Sequence, residues 1–182
     1  MKLNGEPRLA VVGITGSGKT TFARALAGRL AVPHVELDAL YWKPGWKEAP
    51  RAAFRERLAQ ALNAPAWVVD GNYGFARDMI WGRATGLIWL DYSLPLTLWR
   101  LTLRTWRRLL TREELWNGNR ERLRDFFFSR ESLYLWALKS YPKQRREYPA
   151  ALQRPEHAHL AVERLRSPRA AAVWLSRIRP EG

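Results

Sequence analysis

Residues Gly13 to Thr20 read GITGSGKT and match the spacing G-x-x-x-x-G-K-[ST]. These residue types in this order can hold a polyphosphate. The glycines let the backbone approach phosphate oxygens closely. Successive N–H groups and the N-terminus of a following helix supply positive potential. Lys19 reaches the β- and γ-phosphates, and the Thr20 hydroxyl ligates Mg²⁺. The expected nucleotide-contacting set is therefore Gly13, Thr15, Gly16, Ser17, Gly18, Lys19, Thr20 and Thr21.

Three carboxylates close apolar runs elsewhere: Asp38, Asp70 and Asp91. Phosphoryl transfer is mostly positioning and charge neutralisation. It calls for one carboxylate on Mg²⁺ or its waters and another orienting the nucleophile. Asp70 is expected on the metal with Thr20, and Asp38 or Asp70 on the acceptor. Aspartates at such positions also cap turns, and that reading weighs most on Asp91. His34, His157 and His159 have no partner at metal-ligand spacing and are expected to be structural or exposed.

Arg100, Arg104, Arg107 and Arg108 fall on one face of a helix expected from about 95 to 110, with no acidic residue between Tyr92 and Arg112. Arginine forks aimed at a transferring phosphoryl group stabilise charge in the transition state, whereas the same stripe can also be a solvated basic face. Leu98, Leu101, Trp106 and Leu109 are expected to pack the helix on a sheet. Trp67, Trp89 and Trp174 read as core. Trp42 and Trp46 flank Pro44-Gly45 and form either a wall over an acceptor pocket or a satellite core cluster.

The elements that must position these residues alternate. Strands are expected at 8–13, 32–37, 66–70, 86–91 and 158–163. Helices are expected at 20–30, 50–62, 75–81, 95–110, 126–139, 141–152 and 169–178. Such alternation implies a parallel sheet with helices on both faces and a ligand site at the carboxyl ends of the strands. The length of 182 residues suits one α/β domain spanning 1–182, with the polar segment 111–125 as a lid. There are no cysteines, which excludes disulfides and thiolate metal sites. No apolar run approaches a membrane span, and the first apolar run enters the glycine loop directly, so a cytoplasmic location is expected. The formal charge is +14, with 12 basic and 8 acidic residues in 1–91 and 19 and 9 in 92–182. A polyanionic ligand, a nucleic-acid surface or a biased solvated face would each account for it. No helix-turn-helix, zinc or RNA-binding signature accompanies the charge.

With its glycine loop, strand-end aspartates and arginine helix, the chain resembles the adenylate-kinase-like branch of P-loop kinases. This implies a P-loop NTPase fold: three α/β/α layers, a five-stranded parallel sheet and a helical lid. The stretches 37–46 (LDALYWKPGW), 68–73 (VVDGNY) and 115–121 (LWNGNRE) more narrowly resemble bacterial DNA topology modulation proteins or AAA-type ATPases. The likeness implies that Asp70-Gly71 holds Mg²⁺-bound water, Arg100 stacks on the nucleobase and Arg104 contacts phosphates. It also implies that Arg120 and Arg122 close over the γ-phosphate, and that the loop at Arg166-Ser167-Pro168 receives adenine. Two departures stand out. Gly74 occupies the position four after Asp70 where adenylate kinases carry arginine, with Arg77 three further on. The segment between Asp38 and Pro50 is also short for a nucleoside-monophosphate subdomain. A small acceptor, as in shikimate or gluconate kinases, also fits a strand-two Asp such as Asp38. The expected function is an ATP- and Mg²⁺-dependent phosphotransferase acting on a nucleotide or small metabolite. The alternative is a nucleic-acid-associated ATPase affecting DNA topology.

Overall fold

The computed structural model describes residues 5–111, 113–120 and 133–178. Its centre is a five-stranded sheet built from β1 (Arg8–Gly13), β2 (His34–Glu36), β5 (Trp67–Asp70), β6 (Gly86–Leu90) and β7 (Ala161–Leu165), in the order β2-β5-β1-β6-β7. All four pairings are parallel. Successive side chains along a strand point to opposite faces, and a parallel sheet is covered on both. Leu9 and Val11 of β1 join Val68, Ile88 and Leu90 under α1 (Lys19–Leu30), which contributes Phe22, Ala23 and Leu26. Ala10 and Val12 join Val69, Leu87 and Trp89 on the other face. Over that face lie α3 (Arg51–Ala61), which buries Phe54 and Leu58, and α4 (Arg77–Trp81), which buries Ile80 and Trp81. Double-sided burial is why these strands read as unbroken apolar runs.

The expected α/β layering is present, with local differences. The second strand stops at Glu36, and Leu37–Tyr41 forms a one-turn helix, α2, so Asp38 lies in a helix rather than at a strand end. The tryptophan-rich loop is a small antiparallel hairpin, β3 (Trp42–Lys43) against β4 (Lys47–Glu48). Pro50 caps α3 rather than opening it. The fifth strand begins at Ala161, because a 3-10 turn at Pro155–His157 uses the preceding residues, and it runs on to pair Leu165 with Leu90.

The arginine helix α5 (Leu94–Thr111) is present, but Trp106 is 49% exposed. Leu101 is buried and Leu98 packs beside it as expected, while Thr97 and Thr105 rather than Trp106 complete the buried face. The two helices expected at 126–139 and 141–152 are one over the described residues, α6 (Leu133–Leu152), which continues through Pro142 and Pro149. Residues 126–132 lie outside the described residues. Burial of Ala137, Gln144, Tyr148 and Ala151 holds α6 in place despite the backbone donors that the two prolines lack. Helix α7 (Pro168–Ser176) closes the described chain, capped by Ser167, whose hydroxyl accepts from the Ala170 N–H at 3.1 Å.

Candidate active site

Strand β1 delivers the chain into a tight turn, closed by the Ser17 N–H donating to the Ile14 carbonyl at 3.1 Å. Gly16 (φ 81°) and Gly18 (φ 84°) are both left-handed, and Gly18 is the N-cap of α1. A side chain at Gly16 would also collide with backbone, and one at Gly18 would displace the end of the Arg100 side chain. A Cβ on Gly16 would lie 2.5 Å from the Thr97 carbonyl oxygen, and one on Gly18 would lie 2.9 Å from Arg100 Nη2. The glycines are thus needed for conformation and for the close approach of α5. Helix α1 has no side-chain cap and no acidic residue in its first turn, so its leading N–H groups and dipole present positive potential to an anion. Thr15 and Ser17 are buried, Lys19 and Thr20 half-buried, and Thr21 exposed.

The first turns of α5 form one wall of this loop. Arg100 reaches Gly18 and lies 5.8 Å from the Tyr92 ring centroid. Arg104, one turn along, is half-buried.

Asp70 ends β5, 2% exposed, in register with Val11 on one side and Glu36 on the other. His34 Nε2 lies 3.2 Å from Asp70 Oδ2, and His34 Nδ1 lies 3.8 Å from Glu36 Oε1, so this histidine sits between two carboxylates and hydrogen-bonds to Asp70. Thr20 and Asp70 offer hard oxygen donors, the class Mg²⁺ takes together with phosphate and water. Asp38 accepts a 2.6 Å hydrogen bond from the Tyr73 hydroxyl. Burial raises the Tyr73 pKa, and the nearby Asp38 charge adds to the effect, so Tyr73 stays a donor. Around this pair Tyr41, Phe54, Tyr73 and Phe75 form an aromatic cluster with ring centroids 4.7 to 6.1 Å apart.

Of the expected lid, Thr111 ends α5, residues 113–120 are docked on the β3–β4 hairpin, and 112 and 121–125 lie outside the described residues. Asn117 donates to the Trp42 carbonyl at 2.6 Å, and Asn119 donates to the Lys43 carbonyl at 2.9 Å. Asn119 also accepts from the Trp46 N–H at 2.9 Å, and the Trp46 indole donates to the Arg120 carbonyl at 3.1 Å. Trp116 donates its indole N–H to Glu36 at 2.7 Å, and Arg24 donates to the other oxygen. Burial pushes the Glu36 carboxyl up, but the hydrogen bonds from Trp116 and Arg24 and the charges of His34 and Arg24 outweigh it. The net pKa is low. Trp42, Trp46 and Trp116 are therefore partners across this docking contact.

Arg120 pairs with Glu114 at 3.5 Å. Arg122 falls outside the described residues. Arg166 is exposed just past β7. Asp91, 4% exposed, is held by two arginines: Arg145 from α6 at 2.8 Å and Arg164 from β7 at 2.7 Å. This supports the structural reading of Asp91. No sequence pattern singles out Asn72, Tyr73, Asn117, Asn119, Arg145 or Arg164 individually. The first four sit inside the short motifs 68–73 and 115–121, which were the available signal. Nothing in the sequence pointed to Arg145 or Arg164.

Among the described residues no helix is long and apolar enough to cross a membrane. No family model matches the sequence. Over 61 residues the chain is 39% identical to a shikimate kinase of Enterococcus faecalis, covering 30% of this chain and 36% of that protein. The match thus spans about a third of that relative's length. Solved structures similar to the whole chain include a gluconokinase from Sinorhizobium meliloti, with 18% identity and a TM-score of 0.53, covering 97% of this chain and 94% of that one. A shikimate kinase from Bacteroides thetaiotaomicron is similar too, with 16% identity and a TM-score of 0.55, covering 94% and 95%. The chain therefore has the P-loop kinase fold of the shikimate kinase and gluconokinase type.

Proposed function

We propose that this chain is an ATP- and Mg²⁺-dependent phosphotransferase acting on a small metabolite. The observation that carries the reading is the glycine loop itself, backed by Arg100 on one side and tied on the other to the turn that follows Asp70. In this reading the N–H groups of residues 13–20 receive the phosphates, and Lys19 reaches the β- and γ-oxygens. Thr20 and Asp70 would hold Mg²⁺, which would supply neutralisation of phosphate charge. Asp38, fixed by Tyr73, orients the acceptor hydroxyl and takes its proton. Arg100 faces the nucleobase, with the loop at Arg166 receiving its far edge, and Arg104 stabilises charge on the transferring group. Arg120 would join it by exchanging Glu114 for phosphate as residues 111–125 close and exclude water. The names of the similar proteins, shikimate kinase and gluconokinase, favour a hydroxylated carboxylic acid over a nucleotide as acceptor. The short hairpin at 42–48 favours it too. The cytoplasm, where ATP is supplied, is the proposed location.

The test is an ADP-release screen across sugar acids, shikimate-like acids, sugars and nucleoside monophosphates, with Lys19→Ala alongside. Turnover with one acceptor class, lost in Lys19→Ala while the fold persists, is expected. Turnover equal in the variant overturns the reading.

The charge of +14 and the likeness to DNA topology modulation proteins favour a second reading, a nucleic-acid-associated ATPase. It requires DNA-stimulated hydrolysis and binding with a steep salt dependence. Hydrolysis unchanged by duplex and single-stranded DNA eliminates it.

A further inference from the structure

Strands β1 and β5 pair up to Val11 opposite Asp70, and the Gly71 N–H still reaches the Val11 carbonyl at 3.5 Å. Beyond this point β5 turns away while β1 continues to Gly13, which pairs with Leu90 of β6 on its other side. Gly13 would then lack a ladder partner on the β5 side. Asn72 supplies one from its side chain. Its Oδ1 accepts from the Gly13 N–H at 3.4 Å, and its Nδ2 donates to the Gly13 carbonyl oxygen. One primary amide thus meets both polar groups of the residue that opens the phosphate loop, as a neighbouring strand would. The amide is oriented in turn from α6: the Tyr148 hydroxyl donates to Asn72 Oδ1 at 3.1 Å. Tyr148 is 3% exposed, and its burial raises its pKa, so the hydroxyl stays protonated and can serve as a donor.

We infer that Asn72 is a positioning residue for the triphosphate, setting the path of the phosphate loop through Gly13, with Tyr148 fixing its amide. The inference rests on the reading that residues 13–20 bind ATP. Asn72 touches no phosphate in this scheme and acts through the Gly13 peptide. Without it, the N–H and carbonyl of Gly13 lose partners at a partly buried position, and the loop relaxes away from the geometry that lines up its N–H groups. An aspartate there would be worse than alanine, because a carboxylate oxygen would face the Gly13 carbonyl.

The test compares ATP with adenosine, which has no phosphate to place, by titration calorimetry and competition on the full chain. For Asn72→Ala, ATP affinity is expected to fall about 10- to 100-fold, with adenosine affinity unchanged. Asn72→Asp should lose at least as much. Tyr148→Phe keeps the ring and removes only the hydroxyl, so it serves if the Asn72 variants fold poorly. It should weaken ATP about two- to five-fold. A purely structural role would lower the melting temperature and weaken both ligands alike, and that result overturns the inference. ATP affinity at the wild-type level in Tyr148→Phe and in every Asn72 variant that folds also overturns it. Wild-type protein that fails to bind ATP overturns the nucleotide reading itself, a result distinct from either of these.

Discussion

The Trp116 indole N–H donates to Glu36 at 2.7 Å across 80 residues of sequence, joining the segment after α5 to the end of β2. The Glu36 carboxyl is held below its ordinary value of 4.5 by that donor and by Arg24 and His34, against its own burial. A carboxyl lowered in the folded state contributes stability above its unfolded pKa, and this is lost as pH falls through the folded value. Docking of residues 113–120 should therefore hold from neutral pH down to 4.5 and weaken below it. Tryptophan fluorescence over this range checks the expectation. Glu36→Gln should remove the transition, and a transition that survives in this variant belongs to another group.

Asp91 accepts from both Arg145 and Arg164, whose guanidinium groups lie over the rings of Tyr141 and Trp89. Asp91→Ala leaves two cations facing each other without their shared carboxylate. We expect a loss of roughly 2–3 kcal/mol by urea denaturation, moderated because both arginines are partly exposed. A loss under about 0.5 kcal/mol would mean that the pair contributes little to stability.

Gly16→Ala places a Cβ 2.5 Å from the Thr97 carbonyl oxygen at a left-handed φ of 81°. Strain and collision both push the loop away from α5. The expected outcome is at least a roughly tenfold loss of ATP affinity by calorimetry, with the far-ultraviolet circular dichroism unchanged. Wild-type affinity would show that the α5 wall does not shape the site.

Tyr73→Phe removes the donor to Asp38 and keeps the aromatic cluster. The stability cost should stay within about 1.5 kcal/mol, since a single hydrogen bond is lost. With an acceptor from the screen, its KM should rise several-fold while the KM for ATP stays constant. An equal rise in both would place Tyr73 and Asp38 outside the acceptor side.

Much of the fold was legible because its signals are local. The run Arg8–Gly13, the glycine spacing after it and the apolar face of α1 each declare themselves within a dozen residues, and the alternation of strands and helices follows from the same periodicities. Departures from local expectation have non-local causes. Trp106 was expected inward because it is apolar, yet the face of α5 turned inward is set by the glycine loop, against which Thr97 and Leu101 fit closely. Separate helices are expected at 126–139 and 141–152, yet Leu133–Leu152 is one helix, with Ala137, Gln144 and Tyr148 buried along it.

The sequence by itself determined the phosphate loop, because eight adjacent residues contain its geometry. It also determined that Asp70 closes a buried strand. Tertiary structure alone decided which distant groups meet at the strand ends. Asn72 meets Gly13 across 59 residues, Tyr148 meets Asn72 across 76, and Trp116 meets Glu36 across 80. The choice among asparagines, tyrosines and tryptophans of similar local setting depends on where the sheet order β2-β5-β1-β6-β7 brings the strand ends. Hydrogen bonds act over about 3 Å, and sequence spacing has no bearing on which distant groups come that close.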